Sequence, residues 1–458
     1  KNSKLRDMAI KALKKSRSVE RDLVQAILYR QIVHNAAMDD AETGPSQTTL
    51  LSAGPQNESN LEEKQESEEW TAKLCIVMIG IGYLFPIAAV WASFDYWKLL
   101  FPNENVEFPV TLVYQVGSIA TVLILSFIES FNFNARILGG FSGQFLCLAA
   151  IFSFRWLPIA SSMLYKMLLL LVFLCSVATG ALDSALLSLC AQYSSTMQGY
   201  LQVGLGFGTL VSVLYRDGTK LLINNDVADA TCAFFIIALV TVLLCVSAYL
   251  RLMTLPISQH LTGASKNESG RRSASYGSLE LADKVDNRLS SVFRKVWFNQ
   301  LIILINLLLT TACYPGLITT IPCRQMSVLS SDEWFQTILL TVFTLADIVA
   351  RFLTHIRVGL NYRNIYWTAI VRVLLLPLMI YCAVSKTGHD LLSMLAVAVF
   401  GFLNGYCVSL SLIVVIEIPD LSQEQRKTCG RISACSVNTG LCLGAFSAAA
   451  LSSALKLC

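Results

Sequence analysis

The sequence predicts an all-α, polytopic membrane protein with eleven transmembrane helices in a six-plus-five arrangement. Composition gives the class. Hydrophobic residues make up 54% of the 458 and charged residues only 14%, where a soluble domain carries about 25% charged residues. Helix number comes from the apolar runs, since a bilayer-spanning helix needs about 20 predominantly apolar residues. Such runs recur near 74–97, 108–129, 137–155, 163–191, 197–215, 229–250, 298–321, 334–354, 365–384, 391–416 and 430–454. The partition comes from a hydrophilic stretch, 251–297, between the sixth run and the seventh.

Residues 1–70 precede the first span and are polar. From Lys1 to Ala37, Leu5, Met8, Leu13, Leu23 and Ile27 recur among Lys4, Arg6, Lys11, Lys14 and Arg21. The pattern fits a basic helix lying on an anionic leaflet or an ordinary soluble tail. Residues 39–69 are rich in Ser, Gln, Asn and Glu and read as a linker that cannot bury enough apolar surface to fold. The expected domains are a partly disordered cytoplasmic tail (1–70), a six-helix half (71–250), a cytoplasmic loop (251–297) and a five-helix half (298–458). Segments on the N-terminal side of the membrane hold about three times as many Lys and Arg as those on the other side. The positive-inside rule then predicts a cytoplasmic N-terminus and, with an odd number of spans, an extracellular C-terminus. In the large loop Arg271 and Arg272 precede Ser273 and Ser275. Phosphate there would pair with the arginines or weaken the loop's attraction to anionic lipid; a solvated connector with no such role is the alternative.

Several functions are excluded. The 14 cysteines fall mostly within apolar runs without a C-x-x-C, and the 4 histidines are scattered, so neither a disulfide framework nor a metal site is expected. No G-x-S-x-G, H-E-x-x-H or phosphate loop is present. The chain therefore reads as a non-enzyme without a cofactor, whose partners are the lipid bilayer and a small-molecule substrate rather than nucleic acid.

Polar residues within the apolar runs are the candidates for function. Asp347 and Arg351 lie in Trp334–Thr354, where an unpaired charge costs several kcal/mol. Their i, i+4 spacing puts both on one helix face. They form either a structural ion pair or a polar spot on a water-filled pathway. Asp183, with Ser184 beside it, is a second acid at membrane depth. Gln198 opens a span carrying Gly199, Gly204, Gly206 and Gly208, and its amide reads as a ligand contact or as helix–helix glue. Asn404 interrupts the tenth run. Pro86 and Trp91 share the first. Pro315 and Pro377 suit gating or a static kink. Buried polar residues on several helices suggest a solute pathway.

Short motifs give a family likeness. In order they are RILG (Arg136–Gly139), MQG (Met197–Gly199), YPG (Tyr314–Gly316), FTLADIVAR (Phe343–Arg351), VRVLLLP (Val371–Pro377), NGY (Asn404–Tyr406) and LCLGAF (Leu441–Phe446). From about Leu74 to Ala454 the chain resembles the equilibrative nucleoside transporters, and the D-x-x-x-R of span eight is the most specific match. The resemblance implies an alternating-access carrier of major-facilitator-like architecture, moving nucleosides or nucleobases through a cavity between two helical halves. It gives Asp347 and Arg351 the role of facing that cavity and contacting nucleoside. It aligns Asp183 with a base-contacting glutamine and puts the cavity-facing positions of span one at Leu84 and Trp91. The expected location is the plasma membrane. Two departures stand out: an acid replaces the amide in span four, and Pro86 is followed by Ile87 and Ala88 where the family has Trp-Asn. They leave open which nucleoside or nucleobase is carried. The readings outside this family are a major-facilitator-type carrier of another small polar solute and a non-transporting receptor or scaffold.

Overall fold

The computed structural model describes residues 55–104, 106–127, 133–223, 227–258, 289–325, 334–385, 389–419 and 421–455. The basic stretch 1–37 and the Ser273/Ser275 segment lie outside them. All regular structure among the described residues is helical. The long helices are α1 (Pro55–Ala92), α2 (Glu107–Phe127), α3 (Phe133–Phe152), α4 (Ser161–Tyr193), α5 (Ser195–Leu222) and α6 (Val227–Thr254), followed by α7 (Leu289–Cys313), α8 (Trp334–Phe352), α9 (Tyr366–Val384), α10 (Asp390–Val414) and α11 (Gln423–Leu455).

Ten of these helices are long and apolar enough to cross a membrane; α5 is the exception. It carries Gln198 and Gln202, four glycines in its first half, and Arg216, Asp217 and Lys220 in its second. These polar residues and glycines keep its hydropathy below that of the other ten.

Helix α1 reaches back to Pro55, which turns the second half of the expected 39–69 linker into helix. Residues Asn60–Glu69 are mostly Glu, Lys, Gln and Leu, all good helix formers, and Glu69 meets Lys73 at 2.9 Å in an i, i+4 pair. At its other end α1 stops at Ala92, short of the expected boundary. Ser93 turns its hydroxyl back to the Ala89 carbonyl at 3.0 Å, and a short helix, Phe94–Leu100, follows. Helices α4 and α5 are joined by Ser194 alone, whose side chain caps α5 by accepting from the Met197 amide at 3.2 Å. Between α8 and α9, Arg357 donates to both oxygens of Glu417, at 2.5 and 2.6 Å, and this carboxylate holds the guanidinium above its ordinary pKa.

The apolar cores divide along the chain. Two clusters draw almost wholly on α1–α6, one around Phe141, Leu182 and Tyr249 and one around Trp97, Leu168 and Phe234. Three draw almost wholly on α7–α11, including those around Ile303 and Phe400. The two sets meet along two seams, α2 and α4 against α11, and α5 against α8 and α10.

Close backbone approach at small residues fixes several crossings, as expected where lipid supplies no hydrophobic drive for helix association. Helix α10 lies so near α8 that a methyl on Gly405 would overlap the Asp347 carbonyl. The Gly405→Ala change must push the two helices apart, at a cost of about 1–3 kcal/mol. At Gly139 a methyl would meet nothing within 4 Å. We expect Gly405→Ala to lower the unfolding temperature in detergent by several degrees and Gly139→Ala to leave it unchanged or slightly raised; fluorescence-monitored melting of the two purified variants checks this.

Candidate functional site: a polar cavity between the two helix sets

A cavity of about 190 Å³ lies between the two seams, lined by residues of α1, α2, α4 and α5 on one side and of α7, α8, α10 and α11 on the other. Its wall is mostly apolar, with Leu186, Leu201, Leu205, Leu307 and Leu441 among the lining residues. Two aromatic pairs shape it. Trp91 meets Tyr114 edge-on with centroids 5.7 Å apart, and Tyr314 stacks on Phe343 at 4.4 Å.

The strongest polar feature is the span-eight pair. Asp347 is 3% exposed, and burying a carboxylate so deeply is costly without a charge partner and satisfied lone pairs. Arg351 Nε donates to its Oδ2 at 2.7 Å and Asn404 Nδ2 to its Oδ1 at 2.6 Å. The guanidinium also crosses the seam to α5. Arg351 Nη1 donates to the Gln202 carbonyl at 3.0 Å and to Gln202 Oε1 at 3.2 Å, as well as to Ser409 Oγ at 3.3 Å. Gly206 makes room for this: a Cβ there would lie 2.6 Å from Arg351 Cδ and 3.0 Å from its Nε. The ion pair and the glycine-rich stretch of α5 are therefore two sides of one contact.

Asn404 extends the network within the second helix set. Its Oδ1 accepts from Thr310 Oγ1 at 2.5 Å and from Arg372 Nη2 at 3.0 Å. That leaves its Nδ2 to face Asp347, which fixes the amide orientation by elimination. Arg372 is fully buried, donates to the Asn306 carbonyl at 2.5 Å and lies over the Phe400 ring at 5.2 Å.

Asp183 stands on the other seam. It accepts from Asn438 Nδ2 at 2.5 Å and from the Tyr83 hydroxyl. Asn438 in turn accepts from Ser118 at 2.7 Å. One α11 amide thus ties α2 and α4 to the second helix set.

Six of the seven residues singled out from the sequence, Leu84, Trp91, Asp183, Asp347, Arg351 and Asn404, are brought together in the cavity wall. Gln198 is buried but is not part of the lining. It shares a helix face with Gln202 but sits one turn nearer the start of α5, where Gly199 faces Ile413 of α10. Sequence reasoning passed over Gln202, Gln115 and Asn438. The i, i+4 relation between Gln198 and Gln202 was visible, but their depth relative to a cavity was not. Buried polar atoms of lining residues without a hydrogen-bond partner include Trp91 Nε1, Gln115 Oε1 and Gln202 Nε2. Buried polar groups are almost always paired, so two donors and an acceptor left open in one cavity suit a ligand with polar edges.

The profile of a family described as Nucleoside transporter matches residues 167–452. This chain belongs to the nucleoside transporter family. Among its relatives this transporter is 22% identical over 359 residues to Equilibrative nucleotide transporter 8 of Arabidopsis thaliana, covering 76% of this chain and 87% of that one. It is 23% identical over 440 residues to Equilibrative nucleoside transporter 4 of Homo sapiens, covering 81% and 80%. Among solved structures, the major-facilitator proton:xylose symporter XylE bound to 6-bromo-6-deoxy-D-glucose aligns at a TM-score of 0.57, with 9% identity over 83% of this chain and 88% of that one. A bacterial homologue of the iron transporter ferroportin aligns at 0.51, with 12% identity over 85% and 98%. At such identities the structural likeness concerns the fold, and the fold is that of the major facilitators. The transporter is an integral, multi-span membrane protein, a carrier of a small-molecule substrate and not an enzyme.

The different attachments of the two span-eight charges give a test. Asp347 accepts from Asn404, whereas Arg351 donates to Gln202 and Ser409. Exchanging them (Asp347→Arg with Arg351→Asp) keeps the pair but aims each charge at the wrong partners. We expect the double variant to reach the membrane and to transport at least about a hundredfold more slowly than wild type, consistent with the cost of misplaced buried charges. Surface labelling and initial uptake rates, measured together, check this; near-normal uptake would reduce the pair to a helix–helix tie.

Proposed function

We propose that this transporter carries nucleosides or nucleobases across the bilayer by alternating access, with the cavity as its substrate site. One observation carries the reading: the Asp347–Arg351 pair lines a cavity between the two helix sets and bonds across the seam between them. A solute bound there touches both sets at once, which is what lets binding energy drive their relative motion. In this reading Asp347, Arg351, Asp183 and Asn404 make polar contacts with the solute, Leu84 and Trp91 pack on its ring, and Gln198 serves as helix–helix glue.

The relatives' names include both nucleoside and nucleotide transporters. Charge favours the former here. The lining carries two carboxylates, Asp183 and Asp347, and its arginine is already engaged by Asp347. A phosphate group brings up to two negative charges, and a desolvated site of this kind would repel it. The neutral hydroxyls and ring edges of a nucleoside or base match the open donors and acceptor.

In this reading the halves are residues 71–250 and 298–458, α5 is the eleventh span, the N-terminus is cytoplasmic and the C-terminus extracellular, and the protein works at the plasma membrane. The direct test is uptake of labelled adenosine, uridine and hypoxanthine into proteoliposomes. Saturable uptake of at least one, with none of adenosine monophosphate, is expected. Absence of saturable uptake of all three would overturn the proposal.

Alternating access requires the α2–α11 seam to open. Ser126 Oγ of α2 lies 3.1 Å from Cys435 Sγ of α11, close enough for a thiol at 126 to form a disulfide with the native cysteine. We expect oxidised Ser126→Cys to lose about 90% or more of its uptake and to regain it on reduction, with wild type unaffected by either treatment. Unchanged uptake in the oxidised variant, with the cross-link verified by mass spectrometry, would mean that this seam does not open.

A further inference from the structure

Gln202 is joined to the opposite helix set on one side and left open on the other. It is 1% exposed and lines the cavity. Its carbonyl and its Oε1 both accept from Arg351 Nη1, at 3.0 and 3.2 Å. Because a guanidinium only donates, the amide group facing it must be the oxygen. The usual ambiguity of a glutamine amide is thereby removed, and the NH₂ points away from Arg351. That Nε2 is buried and has no partner. A buried donor left unmade costs about 1–3 kcal/mol, so the position is held at a cost that a solute acceptor would relieve.

The neighbourhood indicates what kind of acceptor. Arg351 donates to acceptors on two helices, α8 and α5. On one side Asp347 Oδ2 takes its Nε at 2.7 Å; on the other Gln202 Oε1 takes its Nη1. Both flanking residues line the cavity. Asp347 keeps lone-pair capacity beyond the bonds it accepts from Arg351 and Asn404. The cavity wall therefore holds an acceptor, the Asp347 carboxylate, and a donor, the Gln202 amide, on two residues joined by one guanidinium.

We propose that Gln202 is a specificity-determining substrate contact. Its Nε2, oriented by Arg351, donates to an acceptor atom of the solute whose adjacent donor engages Asp347. The proposal rests on the reading of the chain as a nucleoside or nucleobase carrier. The matching solute chemistry is a side-by-side donor–acceptor edge. A nucleoside offers it in two places, the vicinal sugar hydroxyls and the hydrogen-bonding edge of the base.

The test uses Gln202→Glu, which retains an oxygen for Arg351 but has no N–H to give, and Gln202→Met, which has neither. Uptake kinetics in proteoliposomes are measured for whichever of adenosine and uridine wild type carries better, for its 2′,3′-dideoxy analogue, and for its free base. Both variants are expected to raise KM for the nucleoside about tenfold, with protein level and unfolding temperature unchanged. If the sugar edge is the partner, the change falls below twofold for the dideoxy analogue. If the base edge is the partner, it persists with the dideoxy analogue and with the free base. Wild-type KM values in both variants, with only Vmax altered, would leave Gln202 a mere strut and overturn the inference. Absence of wild-type uptake of all three probes would remove the nucleoside reading itself, and this inference with it.

Discussion

The ion pair between Asp347 and Arg351 is the constraint on which most of the interior depends. A carboxylate at this depth needs a cation, and a cation at this depth needs more oxygens than one carboxylate supplies. Arg351 finds them across the seam on Gln202 and on Ser409 of α10. Two backbone requirements follow. Helix α5 must lack a side chain at Gly206, and α10 must lack one at Gly405, where it passes the Asp347 backbone. The glycines of GLGFG and NGY are thus linked to a charge pair that neither motif contains.

The same logic accounts for Arg372. It is a second buried cation, and its hydrogen bonds go to neutral oxygens, those of Asn306, Thr310 and Asn404. Asn404 accepts from it and donates to Asp347. Helices α7, α8, α9 and α10 are therefore held by one continuous network in which each amide has a determined orientation. Such a network is worth more than its separate bonds because its members polarise one another, although Arg372 Nε is left without a partner. The network ties four helices of the second set together and ends on the cavity-lining residues Asn404 and Asp347.

The two seams are built differently. Where α5 meets α8, a charged guanidinium bonds a carbonyl and an amide. Where α2 and α4 meet α11, the Ser118–Asn438–Asp183 relay joins the helices through short neutral donors. Both contacts end on cavity-lining residues, so a solute that takes over any of these hydrogen bonds changes how the seams are held. That is the physical link between binding and conformational change in a carrier of this fold.

Sequence alone determined the helical membrane class, the order of the long helices and most of the cavity residues. The bilayer makes these legible: apolar runs must be helices because lipid satisfies no backbone polar group, and a charge within such a run stands out because it is costly. Asp347, Arg351, Asp183 and Asn404 announced themselves in this way. Leu84 came only through resemblance, since an apolar side chain on an apolar helix carries no signal of which way it faces, whereas Trp91 also stood out beside Pro86 in the first run. Tertiary structure alone decided between Gln198 and Gln202, which share a helix face and differ only in depth. It alone revealed that Asn438 is Asp183's partner, a pairing across 255 residues of chain that no local spacing encodes. It also extended α1 back to Pro55, where a polar composition had suggested linker. Charged residues with high helix propensity can continue a helix once a buried segment has nucleated it, and composition does not register that nucleus.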